Sequence, residues 1–168
     1  MKYANLFMCL SVFVFLSVIG YSQNKDLPLW VKDEFYKREL NRKYDFEAYL
    51  MPSFLIADFD GDSNIDAVVL VVEKTSRKKG LLIIHKNRGY YILGAGNEFG
   101  NGGDNFTWAN KWGIFSNKIV YETTFDKRTG DIISGKKRRL SHPAIEIEDR
   151  EKGAGGLIYW DGKKYIWI

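Results

Sequence analysis

The residues of this chain best placed to do chemistry are four aspartates within nine positions. They lie in the run Asp58-Phe59-Asp60-Gly61-Asp62-Ser63-Asn64-Ile65-Asp66. Carboxylates this close repel one another, so the run requires a compensating cation; a hard, oxygen-seeking divalent ion, above all calcium, meets that need. Spacing at positions 1, 3 and 5 lets Asp58, Asp60 and Asp62 turn side-chain oxygens inward while the backbone curls round the ion. Asn64 then adds a backbone carbonyl, Asp66 closes the shell, and water completes six or seven ligands. Gly61 falls where the chain must turn sharply, and glycine accepts positive φ without steric cost. The expected metal ligands are Asp58, Asp60, Asp62, Asn64 and Asp66, with Ca2+ as the cofactor. An EF-hand is excluded, because that loop needs Gly at position 6 and Glu at position 12, places held here by Ser63 and Val69.

On these residues the stretch 54–85 resembles the calcium loop of the FG-GAP/VCBS repeats found in integrin-type β-propellers. The likeness rests on Asp58-Phe59-Asp60-Gly61-Asp62, on Asp66, and on the apolar Ala67-Val68-Val69 that follows. It implies a calcium loop joining two strands; the family usually has Gly where this chain has Ser63. A propeller takes about four to eight blades, and the sequence holds no second copy of the loop, so the resemblance carries the loop and not the propeller. The same letters also resemble the nucleophile motif of haloacid-dehalogenase-type phosphatases. That likeness would make Asp58 the nucleophile and Asp60 the acid/base, with magnesium between them. The phosphatase motif puts Thr or Val after the Gly, however, where Asp62 stands, and its fold needs strands alternating with helices.

The loop has to be held by strands and covered on its apolar side. Its flanks, Phe54–Ala57 and Ala67–Val72, are continuous and rich in β-branched residues, which suits strands. Candidate strands are 54–58, 66–73, 80–86, 89–94, 117–124, 130–134, 143–148, 156–160 and 163–168, with hairpin signals at Asn87-Arg88-Gly89, Lys127-Arg128-Thr129-Gly130 and Asp161-Gly162. Ala67–Val72 is apolar on both faces and should be a central strand. Residues 26–50 read as a helix: Asp26 can cap it, Pro28 suits its first turn, and Tyr36, Leu40 and Tyr44 recur on one face near Val31 and Phe35. Asp33–Lys37, Glu34–Arg38 and Glu39–Lys43 stand at i, i+4 spacing. The expected fold class is α+β, an N-terminal helix packed on a mainly antiparallel β-meander sheet.

A chain of 168 residues with 45% hydrophobic and 27% charged residues has the length and composition of one folded domain. Residues 1–22 read as a signal peptide, with Lys2 at the start, an apolar core from Leu6 to Ile19, and Gly20-Tyr21-Ser22 before a cleavage point at Gln23. The reading leaves 23–168 as a single domain, exported to a periplasm or secreted, with no stable membrane span after cleavage. Cys9 is the one cysteine and lies inside the signal, so disulfide and thiol chemistry are not expected.

Other features point less sharply. The glycine-rich segment 94–105, with Phe106, Trp108 and Trp112 after it, reads as a loop looser than the strands that could line a ligand groove. The basic runs 74–79 and 136–139 read as solvated turns and strand edges, and nucleic acid is not an expected partner. His85 and His142 lack zinc-ligand spacing. Glu146, Glu148 and Asp149 hold the residue types of a glycosidase pair, but their separation is not readable from sequence; no catalytic residue is assigned. The expected function is a non-enzymatic, exported, calcium-binding structural or recognition module with a protein or glycan partner. The alternatives are a magnesium-dependent phosphatase using Asp58 and Asp60, or a partner-binding or inhibitory protein using the 94–112 loop.

Overall fold

The computed structural model describes residues 26–86, 88–125, 128–129 and 132–168. The segment read as a signal peptide, with Cys9, lies outside them. One helix, α1 (Leu29–Lys37), precedes eleven strands: β1 (Tyr44–Phe46), β2 (Phe54–Ala57), β3 (Asp66–Glu73), β4 (Lys79–His85), β5 (Gly89–Gly94), β6 (Lys111–Phe115), β7 (Ile119–Phe125), β8 (Ile132–Arg139), β9 (Ala144–Asp149), β10 (Ala154–Trp160) and β11 (Tyr165–Trp167). The protein is therefore mainly β, and every pairing among the described residues is antiparallel. No parallel sheet of the kind the phosphatase resemblance requires is present among them.

The helix is much shorter than the 26–50 expected. Pro28 rather than Asp26 holds its cap position, with no side-chain hydrogen bond, and Glu39 turns left-handed at φ 56°. After a single 3-10 turn the chain becomes β1, whose Tyr44, Asp45 and Phe46 pair with Glu73, Val72 and Val71. Tertiary pairing here overrides a local helical pattern. The charge pairs follow the real structure: Glu34 takes both Lys37 and Arg38, Arg42 goes to Glu39, and Lys43 reaches across to Glu73.

The first sheet runs β1-β3-β4-β5, with β2 also paired to β3. Because β1 pairs with Val71–Glu73 and β2 with Asp66–Val69, the two sit end to end along one edge of β3. All eight residues of β3 are buried, as expected of a strand apolar on both faces. The second sheet runs β11-β10-β9-β6, and β7 with β8 forms a separate ribbon. Val68, Leu70, Leu81 and Ile83 of the first sheet share the largest core with Trp112, Ile145, Ile147, Ile158 and Trp160 of the second. The opposite face of the first sheet, Ala67, Val69, Val71, Leu82 and Ile84, clusters with Val31, Phe35, Leu40 and Tyr44.

The glycine-rich segment belongs to this scaffold more than expected. Asn97 donates from Nδ2 to Gly94 O and to Tyr44 Oη, Asn105 Oδ1 accepts from Lys79 N, and Trp108 Nε1 donates to Gly102 O. Phe106 and Trp112 are core residues, so neither lines an open groove. Most of the basic run 74–79 is paired, Lys74 with Asp45, Arg77 and Lys79 with Glu47, and Lys78 with Asp104.

Candidate metal centre

The Asp-rich loop links β2 to β3, which lie side by side with Ala57 opposite Asp66. The loop therefore begins and ends at one point on the sheet, and its nine residues must close on themselves. The aspartates make this possible by accepting backbone N–H groups. Asp58 Oδ1 accepts from Gly61 N at 2.7 Å and Asp62 N at 3.1 Å, and its Oδ2 accepts from Ser63 N at 2.9 Å. Asp60 Oδ1 accepts from Asp62 N at 3.0 Å, and Asp62 Oδ1 from Asn64 N at 2.8 Å. Each carboxylate oxygen has two lone pairs, so this lacing leaves room for a cation. Gly61 takes φ +76°, and a Cβ there would meet His142 Cδ2 at 2.9 Å. Ser63 takes φ 68° without being glycine, a left-handed backbone that glycine adopts more readily.

The loop presents two faces. On the outer one, oxygens of Asp58, Asp60 and Asp62 lie within 4.8 Å of one another. On the inner one, Asp60, Asp66 and His85 come together within the same limit, and all three are buried, at 7%, 0% and 2% exposure. Four of the five residues named from sequence thus fall in one or other cluster. Asn64, expected to offer its backbone carbonyl, donates its N–H to Asp62 Oδ1 and its Nδ2 to Asp62 O.

His85 is the residue that sequence spacing missed. It ends β4, and the β3–β4 register, running from Val72 opposite Lys79 to Ala67 opposite Ile84, brings it level with Asp66 at the next pair. A reader who had fixed the turn at 74–78 would have found it by counting back. His85 Nδ1 lies 2.9 Å from Asp60 Oδ2 and 3.5 Å from Asp66 Oδ2. Its Nε2 is 2.9 Å from Tyr165 Oη. Arg88 Nε also approaches Asp60 Oδ2, at 2.9 Å. These are ion-pair distances without hydrogen-bond direction: Asp60 Oδ2, Asp66 Oδ1 and His85 Nδ1 all remain without a hydrogen-bond partner. The other oxygen of Asp66 accepts from Phe59 N at 2.9 Å.

The electrostatics are those of an under-compensated anionic site. Burial pushes the Asp66 carboxyl up to about 6 against the pull of His85. Burial likewise raises the Tyr165 hydroxyl far above its ordinary value, helped by Asp66 and Asp60. Asp62, at the exposed end, is held below the usual carboxylate range mainly by the Asn64 N–H. Among the described residues, the ion pairs of these four carboxylates are with one guanidinium and one imidazole, which leaves negative charge that a divalent ion could neutralise.

No family model, curated protein or solved structure matches this chain.

The remaining acidic and histidine candidates lie apart from this centre or do other work. Glu146 and Glu148 share Lys111, at 3.1 and 2.6 Å, and Lys111 with Arg150 holds Glu148 in its charged form. His142 stacks on Tyr159 with ring centres 4.6 Å apart and borders the loop at Gly61. Among the described residues no helix is long and apolar enough to cross a membrane.

Proposed function

We propose that this protein is an exported, non-enzymatic module whose 58–66 loop binds calcium, with the ion serving structure and, through it, recognition of a protein or glycan partner. The observation that carries the reading is the outer cluster: three carboxylates converge on one loop, and Arg88 is the nearest cation. All-oxygen ligation suits a hard ion, and a flexible loop suits calcium better than the small, strictly octahedral magnesium. The likeness to the FG-GAP/VCBS loop supports the same ion. We assign α1 the role of cover for the β3–β4–β5 meander, on the strength of the cluster it shares with them. A metal loop anchored to a fully buried strand stiffens the sheet edge and gives a partner a fixed surface.

Isothermal titration of the purified protein with calcium and, separately, magnesium tests this reading, alongside turnover of a generic phosphoester. Uptake of calcium in preference to magnesium with no hydrolysis supports the module. Magnesium-dependent hydrolysis, abolished by Asp58→Asn, would replace it with an enzyme.

A further inference from the structure

We propose that Asp60, Asp66 and His85 form a second cation site on the inner side of the loop, selective for a borderline divalent ion of the manganese, cobalt and zinc class. This goes beyond the calcium reading and shares only Asp60 with it. Of the Asp60 carboxylate, Oδ1 turns to the loop backbone and Oδ2 turns inward. Asp60 Oδ2, Asp66 Oδ1 and His85 Nδ1 are buried without a hydrogen bond, and one ligand atom from each of the three residues falls within 4.8 Å of the others. Folded proteins rarely leave buried polar atoms without a directed partner, so three such residues in one cluster mark a place for a ligand.

The chemistry of the donors selects that ligand. Calcium favours oxygen alone, whereas one imidazole with two carboxylates suits the later divalent metals. His85 Nδ1 stands 2.9 and 3.5 Å from the nearest oxygens of Asp60 and Asp66. Metal bonds of roughly 2.0–2.2 Å set neighbouring ligands about 3.0–3.5 Å apart, so the ligands need only small adjustments. On the far side of the ring, Tyr165 Oη meets Nε2 at 2.9 Å. With a metal on Nδ1 the Nε2–H donates to Tyr165, the outer hydrogen bond that commonly orients a metal-bound imidazole. Tyr91 and Trp160 pack beside His85 at 5.4 and 5.5 Å between ring centres and keep the pocket dry. The one competitor is Arg88, whose side chain is 45% exposed and can swing out to water as an ion enters.

Cobalt(II) is the probe, added to the full chain held in excess calcium. The expected result is uptake of one cobalt ion with a visible ligand-field band and a hyperfine-shifted, exchangeable imidazole N–H resonance. His85→Gln should abolish that resonance and weaken cobalt binding by more than about tenfold. Tyr165→Phe should weaken it about tenfold, while His142→Ala leaves both signals within about twofold. Asp58→Asn should reduce the calcium response and keep the cobalt signals, which separates the two sites. If His85→Gln does not fold, the wild-type resonance decides by itself, since His142→Ala removes the only other histidine. Cobalt that calcium displaces, or that binds with no imidazole resonance, would overturn the inner site and show a simple His85–Asp60 ion pair.

Discussion

Arg88 stands 2.9 Å from Asp60 and 3.9 Å from Asp62, where an ion would otherwise draw those oxygens together. It is a built-in competitor, and its substitution should raise affinity. A half-exposed pair of this kind is worth about 0.2–1 kcal/mol, so Arg88→Gln should tighten calcium binding by up to about fivefold in a calorimetric titration. Asp66 sets the pH response. Burial raises its pKa to about 6, so the neutral carboxyl persists to higher pH than in a free aspartate. Its charged form costs stability that is recovered as pH falls through about 6 toward the ordinary aspartate range. In chelator, wild type should therefore gain stability relative to Asp66→Asn as pH falls from about 7.5 to about 4.5, measured by urea titration. Ser63 carries a third prediction: relief of its left-handed backbone is worth about 1–2 kcal/mol, offset by about 0.5–1 for the added freedom of glycine. Ser63→Gly should therefore raise stability in urea by about 0.5–1 kcal/mol. Asp66 and Ser63 were legible because each acts locally: charge spacing and turn position show in the letters. His85 and Arg88 were hidden because their roles come from partners across a hairpin, Asp66 nineteen positions before His85 and Asp60 twenty-eight before Arg88.

At the scale of elements, the strands around the loop were the readable part and the N-terminal segment was not. Eight-residue β3 declares itself by burying every position, and Asp161-Gly162 forms the turn from β10 to β11; Asn87, Lys127 and Gly130 of the other two signals lie outside the described residues. Tyr44 and Phe46 satisfy both a helical stripe and a two-residue alternation, and only the open edge of β3 decides between them. β6 was missed for a related reason. Lys111-Trp112-Gly113 carries little strand signal, yet Trp112 packs in the central core and its Nε1 donates to Pro52 O at 2.8 Å. Tight pairing of β4 with β5 also depends on a feature that composition does not show. A Cβ at Gly80 would come 2.4 Å from Ala95 N and from Leu93 O, backbone atoms that cannot move aside. Gly80→Ala should cost about 3 kcal/mol or more in a denaturant titration, far beyond its loss of flexibility, while Gly113→Ala in β6, with open space around it and no positive φ, should cost much less.

Across the whole molecule the Asp-rich loop lies at the β3 end that both major cores share. Calcium should tighten this fold rather than create it, because the two large apolar cores are built almost entirely from residues outside the loop. An exported single-loop site has a dissociation constant of about 0.1–1 mM, so about 1 mM free calcium adds roughly 0.4–1.4 kcal/mol of stability. For a domain of this size that is about 1–6 °C of melting temperature. The most direct test of the loop as a calcium site is the melting temperature of wild type and Asp62→Ala, each measured in chelator and in calcium. Wild type should gain those few degrees with calcium. Asp62→Ala should gain none; in chelator it loses the Asn64 N–H bond along with one of several mutually repelling charges, so the calcium-dependent shift and not the absolute melting temperature is the readout. A wild-type protein that shows no shift even at tens of millimolar calcium would contradict the reading and leave the aspartates as a solvated turn.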